Sequence, residues 1–547
     1  CVSNDGSAEG LENALILYKA WETYEYDGVA LWDFGNNQQL PGLKINGALH
    51  RDSDTDGISD VDDAFPFHIA ASVDTDRDGA PDILHYDCDN DCAVASELTV
   101  DQFPINLAAW KDSDLDGLVD EWTEGCDDSC QLNSNLSLDY YPGDSDNDGI
   151  NNLNDSDDNN DGLTDIDADS DGLIDISTLE QLNAIRFQLD GAGYRERLEV
   201  GLDQVGCPLI VHEGVFQQRC WGYELVSDLD FDTNQDGQMD INDAYWNDAE
   251  GWLPIGGFYA RFESILEGNN HVIKNLYINR EDSSDIGLFG FVDQSQIRQL
   301  GLTGSLMSVK GKSNVGGLVG TLWNSKITGC YSGGLVEGGY EKIGGLIGNA
   351  YLNNQIIASY HSGVVKGYNS VGGLVGSVDS NTKITNSYNS GVIEGNKIVG
   401  GLVGGLNLSD NNITTSFNTG DVTGNENVGG LVGLVKWNNH IFGSYSSGSV
   451  RGTAGYVGGL VGHISQDNNQ IQASFSTGIV QGGGGVGGLV GRIEDNNQII
   501  ASFSTANVSG SGHVGGLVGT FSDAGIYLKE NNQLVKDSFS TGSVNSD

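Results

Sequence analysis

"NVGGLVG", residues 314–320, recurs as "KIGGLIG" at 342–348, "SVGGLVG" at 370–376 and "IVGGLVG" at 398–404. Four more copies follow: "NVGGLVG" at 427–433, "YVGGLVG" at 456–462, "GVGGLVG" at 485–491 and "HVGGLVG" at 513–519. A phrase that returns every 28 or 29 residues over eight copies marks a stacked repeat. Each period carries a second phrase, from "CYSGG" at 330–334 and "SYHSG" at 359–363 to "SFSTG" at 538–542. A third element is an amide turn, as in "NNQI" at 353–356, 468–471 and 496–499.

Helix-pair repeats also run near this length, but Val, Ile, Thr, aromatic residues and Gly fill these periods, whereas Ala, Leu, Glu and Lys are scarce. One period therefore reads as short strands with turns, one coil of a β-solenoid. Neighbouring coils should stack about 4.8 Å apart. Like residues then form ladders. The expectation is Val/Leu and aromatic columns inside (Tyr360, Tyr388, Phe417, Tyr445, Phe475, Phe503) and Asn columns at a turn. The Gly-Gly pair would turn the backbone where no side chain fits. The fold class expected is all-β dominated, with eight to nine solenoid coils over 301–547.

The net charge of −53 is concentrated upstream: residues 51–180 hold 37 Asp or Glu against Arg51, Arg77 and Lys111. Such a polyanion repels nucleic acid and anionic lipid, so neither is an expected partner. The acids follow the pattern D-x-[DN]-x-D-G-x-x-D. Its copies place candidate ligands at Asp52, Asp54, Asp56 and Asp60; Asp74, Asp76, Asp78 and Asp82; and Asp112, Asp114, Asp116 and Asp120. Further copies supply Asp144, Asp146 and Asp148; Asp157, Asn159, Asp161 and Asp165; and Asp167, Asp169, Asp171 and Asp175. A seventh loop stands apart with Asp232, Asn234, Asp236 and Asp240. Oxygens at positions 1, 3 and 5 converge on one point, Gly at 6 permits the turn and position 7 offers its carbonyl. Hard oxygen donors without imidazole or thiolate favour Ca²⁺, so the expected cofactor is Ca²⁺ at about seven sites. Position 12, where an EF-hand carries Glu, is here Asp63, His85, Thr123, Asp155, Ala168, Thr178 or Asp243.

These tandem loops resemble thrombospondin type 3 repeats, which implies Asp-rich loops wrapped around Ca²⁺ with little other core. The repeat resembles the GLUG motif of bacterial surface and secreted proteins. Its lead-in matches too, in "DISTLEQLNAIRFQLDG" at 175–191, "YELVSDLDFD" at 223–232, "GWLPIG" at 251–256, "LEGNNHVIKNLYI" at 266–278 and "IGLFG" at 286–290. That resemblance spans 172–547 and implies a β-solenoid outside the cell or on its outer surface, with no defined reaction. Four segments are expected: 1–50 with an amphipathic helix over 8–25, calcium loops over 51–175, a solenoid cap over 176–300 and repeats over 301–547. Ser177 with Glu180 suggests a capping box for a helix over 178–189.

Cys88, Cys92, Cys126 and Cys130 form two C-x3-C units, and Cys207 and Cys220 flank a 12-residue segment. Disulfides are favoured over zinc here, with the connectivity of the first four left open. Cys1 resembles the lipidated first residue of a bacterial lipoprotein, a possible lipid anchor; the alternative is a disulfide to Cys330. No stretch is apolar enough to span a membrane as a helix.

No HExxH, G-x-S-x-G or Walker loop occurs, and the solenoid histidines (His361, His440, His463, His513) share no repeat position. The function expected is therefore non-enzymatic: a calcium-stabilised extracellular structural protein. Its expected partners are other copies of itself, joined head to tail into a filament, or a cell-surface or matrix ligand. The alternatives are a monomeric surface lipoprotein adhesin and a β-helical polysaccharide-degrading enzyme.

Overall fold

The computed structural model describes residues 60–84, 98–142, 166–522 and 535–546, apart from 114–116, 124, 170, 199, 213, 214 and 495, with Ile58 and five strand fragments between Glu25 and His50. The helix expected over 8–25 lies outside the described residues, save its last position, which begins the strand Glu25–Tyr26. The chain divides into two compact units, 1–163 and 164–547.

The second unit is a β-solenoid. One coil runs through the strands Val375–Ser380, Lys383–Thr385, Tyr388–Asn389, Val392–Glu394 and Lys397–Gly400. Each strand pairs in parallel with its counterpart one coil away, so identical positions meet: Val375 with Val403, Ile384 with Ile413, Tyr388 with Phe417. Nine coils contribute to the sheet that begins at Phe289–Asp293 and ends at Val518–Ser522. Leu318, Leu346, Leu374, Leu402, Leu431, Leu460 and Leu489, one per coil, are fully buried, with the Val and Ile ladders around them.

The coil turns at left-handed residues. In the coil above these are Asn381 (φ 48°), Asn386 (φ 51°) and Ile398 (φ 54°). Asn tolerates this conformation better than other non-glycine residues, which accounts for the amide column at Asn324, Asn353, Asn381, Asn438, Asn468 and Asn496. The Gly-Gly pair has a different cause: a Cβ on Gly401 would sit 2.1 Å from the Gly430 carbonyl oxygen of the next coil. Close approach of stacked backbones, rather than an unusual dihedral, requires glycine there.

The aromatic column forms, but not inside. From Tyr331 through Tyr360, Tyr388, Phe417, Tyr445, Phe475 and Phe503 to Phe539, successive rings stack at 4.7–5.3 Å. The rings through Phe503 are half-buried on the outer face, and the inward residue is the next one: His361, Asn389, Asn418, Ser446, Ser476 and Ser504. Side chains alternate along a strand. The inner corner is crowded, because a Cβ on Gly373 would already meet Asn389 Cγ at 2.4 Å.

Two polar ladders close the corners. Asn411, Asn439, Asn469 and Asn497 are buried, and each accepts the backbone N–H of its counterpart one coil earlier at 2.9 Å. Ser359, Ser387, Ser416, Ser444, Ser474 and Ser502 do the same through their hydroxyls at 3.1–3.2 Å. Cys330 occupies the first place in the serine ladder as a free, fully buried thiol. Its postulated partner, Cys1, lies outside the described residues.

The cap helix is shorter than expected and begins one residue later in its capping. It spans Leu179–Ala184, followed by a 3-10 turn at Ile185–Phe187. Thr178 and Gln181, not Ser177 and Glu180, form the capping box. Thr178 is the extended residue that precedes the helix (φ −134°), so its hydroxyl is the one that reaches the N3 amide.

The first unit repeats with a period of 38 residues. Ala64 N–H donates to Ser72 O and Gln102 N–H to Trp110 O; His68 N–H donates to Phe65 O and Asn106 N–H to Phe103 O. Asp82 N–H donates to Val73 O and Asp120 N–H to Lys111 O, at 2.9 and 3.0 Å. Among its described residues the core comprises Phe65, Ala70, Ala71, Ala80, Ala108, Ala109 and Val119.

Candidate metal centres

The loop 74–82 is held open by its own backbone. Asp74 accepts the N–H groups of Arg77 (2.6 Å) and Gly79 (3.1 Å), Asp76 that of Asp78 (3.2 Å) and Asp78 that of Ala80 (2.9 Å). Gly79 sits at φ 102°, where a side chain would strain the turn. Carboxylate oxygens of Asp74, Asp76 and Asp78 lie within 4.8 Å of one another. Burial pushes Asp76 and Asp78 above the usual carboxylate range, and the neighbouring acids add to it. Asp82 accepts Thr75 N–H at 2.8 Å and so closes the loop.

Loop 167–175 gathers Asp167, Asp169 and Asp171 in the same way, within 4.8 Å. Asp167 accepts Gly172 N–H (2.8 Å), Asp171 accepts Leu173 N–H (2.8 Å) and Asp175 accepts Ala168 N–H (3.2 Å). Asp167 is fully buried and is pushed up to about 8 by desolvation, then by Asp171, Asp169 and Asp175. Asp171 rises to about 6 for the same reasons. A further acid faces this loop: Glu224, on the adjacent strand opposite Asp175, is buried and raised to about 8 by desolvation and by Asp171 and Asp169. Only the strand register reveals it; the loop pattern does not contain it.

In loop 112–120, Asp112 accepts Gly117 N–H at 2.9 Å and Asp120 accepts Ser113 N–H at 3.0 Å and pairs with Lys111 at 3.2 Å. Asp114 and Asp116 lie outside the described residues. In loop 232–240, Asp232 accepts the N–H groups of Asp236 (3.1 Å) and Gly237 (3.0 Å), and Asn234 accepts that of Asp236 (2.9 Å). There Asp243, at position 12, accepts Thr233 N–H at 2.9 Å, the closure that position 9 makes elsewhere; Asp240 instead accepts Asn242 N–H at 2.8 Å. Asp52, Asp54, Asp56, Asp144, Asp146, Asp148, Asp157, Asn159, Asp161 and Asp165 lie outside the described residues, while Asp60 is described without its loop.

The donor set fits a hard divalent cation. Asp76 Oδ2 and Asp78 Oδ2 are buried with no hydrogen-bond partner, a costly state for carboxylate oxygens unless a cation meets them. Sulfur does not compete: Cys207 and Cys220 approach Asp167 but are joined to each other, as are Cys126 and Cys130. A disulfide offers no thiolate to zinc.

Ser332 Oγ lies 3.0 Å from His361 Nδ1, a pairing used by nucleophilic enzymes, yet both residues are fully buried. Ser332 donates to Gly345 O at 2.8 Å, and burial depresses His361 to about 4. No substrate reaches this pair.

No family model matches the chain. A "Putative Gly-rich membrane protein" of Evansella cellulosilytica is 36% identical over 100 residues, 18% of this chain and 10% of its own. Halomucin of Haloquadratum walsbyi is 36% identical over 103 residues, 19% of this chain and 1% of its own. This chain thus spans a tenth or less of the curated relatives it matches. Among solved structures, a "putative immunoglobulin A1 protease" from Bacteroides ovatus covers 68% of this chain and 84% of its own, at 16% identity and a TM-score of 0.30. That likeness is too distant to bear on function.

Proposed function

We propose that this chain is a calcium-stabilised, non-catalytic structural protein of the cell surface, whose solenoid presents repeating faces for adhesion, spacing or self-association. The observation that carries this reading is the gathering of three carboxylates in each of the loops 74–82 and 167–175, with buried oxygens on Asp76 and Asp78 that lack any donor. The regularity of the solenoid supports a surface rather than a catalytic cleft. The names of the two partial relatives, a membrane protein and a halomucin, support a surface location. Calorimetric titration of the chelator-stripped full chain with Ca²⁺ tests it. Uptake of several ions at about 10⁻⁴–10⁻³ M is expected, as for extracellular calcium modules; no heat of binding up to 10 mM, roughly ten times the upper end of that range, rejects it.

Head-to-tail assembly is the finer form of this reading. In the last described coil Phe539 and Val544 are 55% and 46% exposed, so its ladders offer an apolar edge that another coil or another copy can cover. Sedimentation of the full chain over a range of concentrations tests it. A concentration-dependent increase in mass is expected, and a monomer throughout favours a monomeric adhesin.

A further inference from the structure

Loops 74–82 and 112–120 lack a carboxylate at position 12, where His85 and Thr123 stand. Loop 52–60 has one, Asp63, with no interruption. Asp63 is buried, and its carboxylate accepts Phe65 N–H two residues on, at 2.7 Å. The same turn recurs at Asp101, which accepts Phe103 N–H, and at Asp139, which accepts Tyr141 N–H, both at 2.7 Å. Asp63, Asp101 and Asp139 are 38 residues apart, the period of this unit. Asp101 lies sixteen residues beyond His85, and Asp139 sixteen beyond Thr123.

The backbone returns each of these acids to its loop. Asp101 N–H donates to Pro81 O and Asp139 N–H to Val119 O, both at 2.8 Å, and Pro81 and Val119 both hold position 8. Beyond Asp101 the chain keeps to the loop, since the Asn106 amide lies against the Asp76 carboxylate. Both acids are only 4% exposed, and the Oδ2 of each is buried with no partner. In loop 74–82 that makes three such oxygens, on Asp76, Asp78 and Asp101.

We propose that the inserts 85–100 and 123–138 are looped out of the binding sequence, and that Asp101 and Asp139 are the twelfth-position Ca²⁺ ligands of the loops that begin at Asp74 and Asp112. This rests on the calcium reading above. A carboxylate at position 12 supplies the side of the coordination sphere that a nine-residue loop leaves open. The second insert carries its own closure: Cys126 and Cys130 are bonded across the start of the helix Asp128–Ser134, whose N-cap is Asp127. Cys88 and Cys92 hold the same places 38 residues earlier, outside the described residues.

The test counts Ca²⁺ sites on the full chain, stripped of metal and titrated with Ca²⁺ alone against a chromophoric chelator. Asp101→Asn and Asp139→Asn should each weaken one site at least about tenfold, the lower bound for losing even an indirect partner of a metal site. The double variant should lose both, and Asp127→Asn, at the helix cap, should lose none. A wild-type chain that takes up no Ca²⁺ refutes the calcium reading itself. A wild-type chain that binds Ca²⁺ while both Asn variants bind identically overturns the twelfth-ligand assignment alone. Should an Asn variant fail to fold, deletion of 85–100 carries the test, because it joins Leu84 to Asp101. The deleted chain should retain the wild-type number of sites, and loss of a site there overturns the proposal.

Discussion

The solenoid and the acidic unit solve the same problem with opposite materials. Each solenoid coil from Leu288 to Leu489 buries a Leu and several Val or Ile residues completely, and hydrogen bonds run from coil to coil. Among its described residues the acidic unit buries little beyond Phe65, Val119 and five alanines, while Val61, Phe67, Ile69, Ile105 and Leu132 point outward. Apolar burial at about 25 cal/mol per Å² can hold the first together, and the described residues of the second offer little of it. The acidic unit instead gathers carboxylates whose mutual repulsion opposes folding, so its stability is linked to whatever neutralises them. One region is stabilised by its own side chains, and on the calcium reading proposed above the other depends on its medium.

The largest expected effect breaks that comparison at its root. In EDTA, residues 60–142 should become protease-sensitive while the solenoid coils stay resistant; with millimolar Ca²⁺ both should resist. Mass spectrometry of the first cleavage sites checks this, and equal resistance in both conditions would sink the contrast. The pH response of the metal-free chain sharpens it. Asp101 is pushed up to about 7, by burial and then by Asp78, Asp76 and Asp82. Between the unfolded carboxylate range near 4 and that value, the folded form holds a proton that the unfolded form has released. Stability without metal therefore falls as pH rises through this window, and below it the group contributes nothing. In EDTA the acidic unit should melt at a higher temperature at pH 5 than at pH 8. With Ca²⁺, which needs the ionised carboxylate, the order should reverse.

Within the solenoid, effects are expected to be local and to follow depth. Leu431→Ala removes a fully buried side chain and should cost about 2–5 kcal/mol, read as a lower midpoint in urea. Asn439→Ala leaves the Asn411 amide without its acceptor inside the corner, a cost of about 1–3 kcal/mol. Asn438→Ala, on the exposed neighbour, keeps that ladder bond and should cost less than Asn439→Ala.

The solenoid was legible because its period is written in the sequence eight times, and stacking converts period directly into register. What the sequence hid was which way each ladder faces. "SYHSG" offers a ring and a polar residue side by side, and hydrophobicity alone sends the ring inward; the crowding around Gly345 and Gly373 sends His361 and Asn389 in instead. The turns of the described acidic loops were legible at positions 1 to 9, where spacing is local. Glu224, Asp101 and Asp139 were not, since one comes from a neighbouring strand and two return after inserts. The 38-residue spacing of "DAF", "DQF" and "DYY" was the available signal for the latter pair.

The smallest effect expected is at the aromatic ladder, and it discriminates between an outer and an inner column. Phe417 stacks between Tyr388 and Tyr445 at 4.9 Å on each side, nearly parallel, but its other surface meets solvent. Truncating a buried Phe costs about 3–5 kcal/mol. A half-buried ring retains part of its water contact in the folded state, and stacking adds about 0.5–1.5 kcal/mol beyond area. Phe417→Ala should therefore cost about 1–2 kcal/mol, below Leu431→Ala in the same coil region and with no cavity to fill. Phe417→Tyr should be close to neutral, because Tyr already holds this place at 360, 388 and 445 and its hydroxyl can reach water. Urea midpoints of the three variants, measured side by side, decide the matter. A cost for Phe417→Ala equal to or above that of Leu431→Ala would place the rings in the core and overturn the assignment of His361, Asn389 and Asn418 as the inward residues.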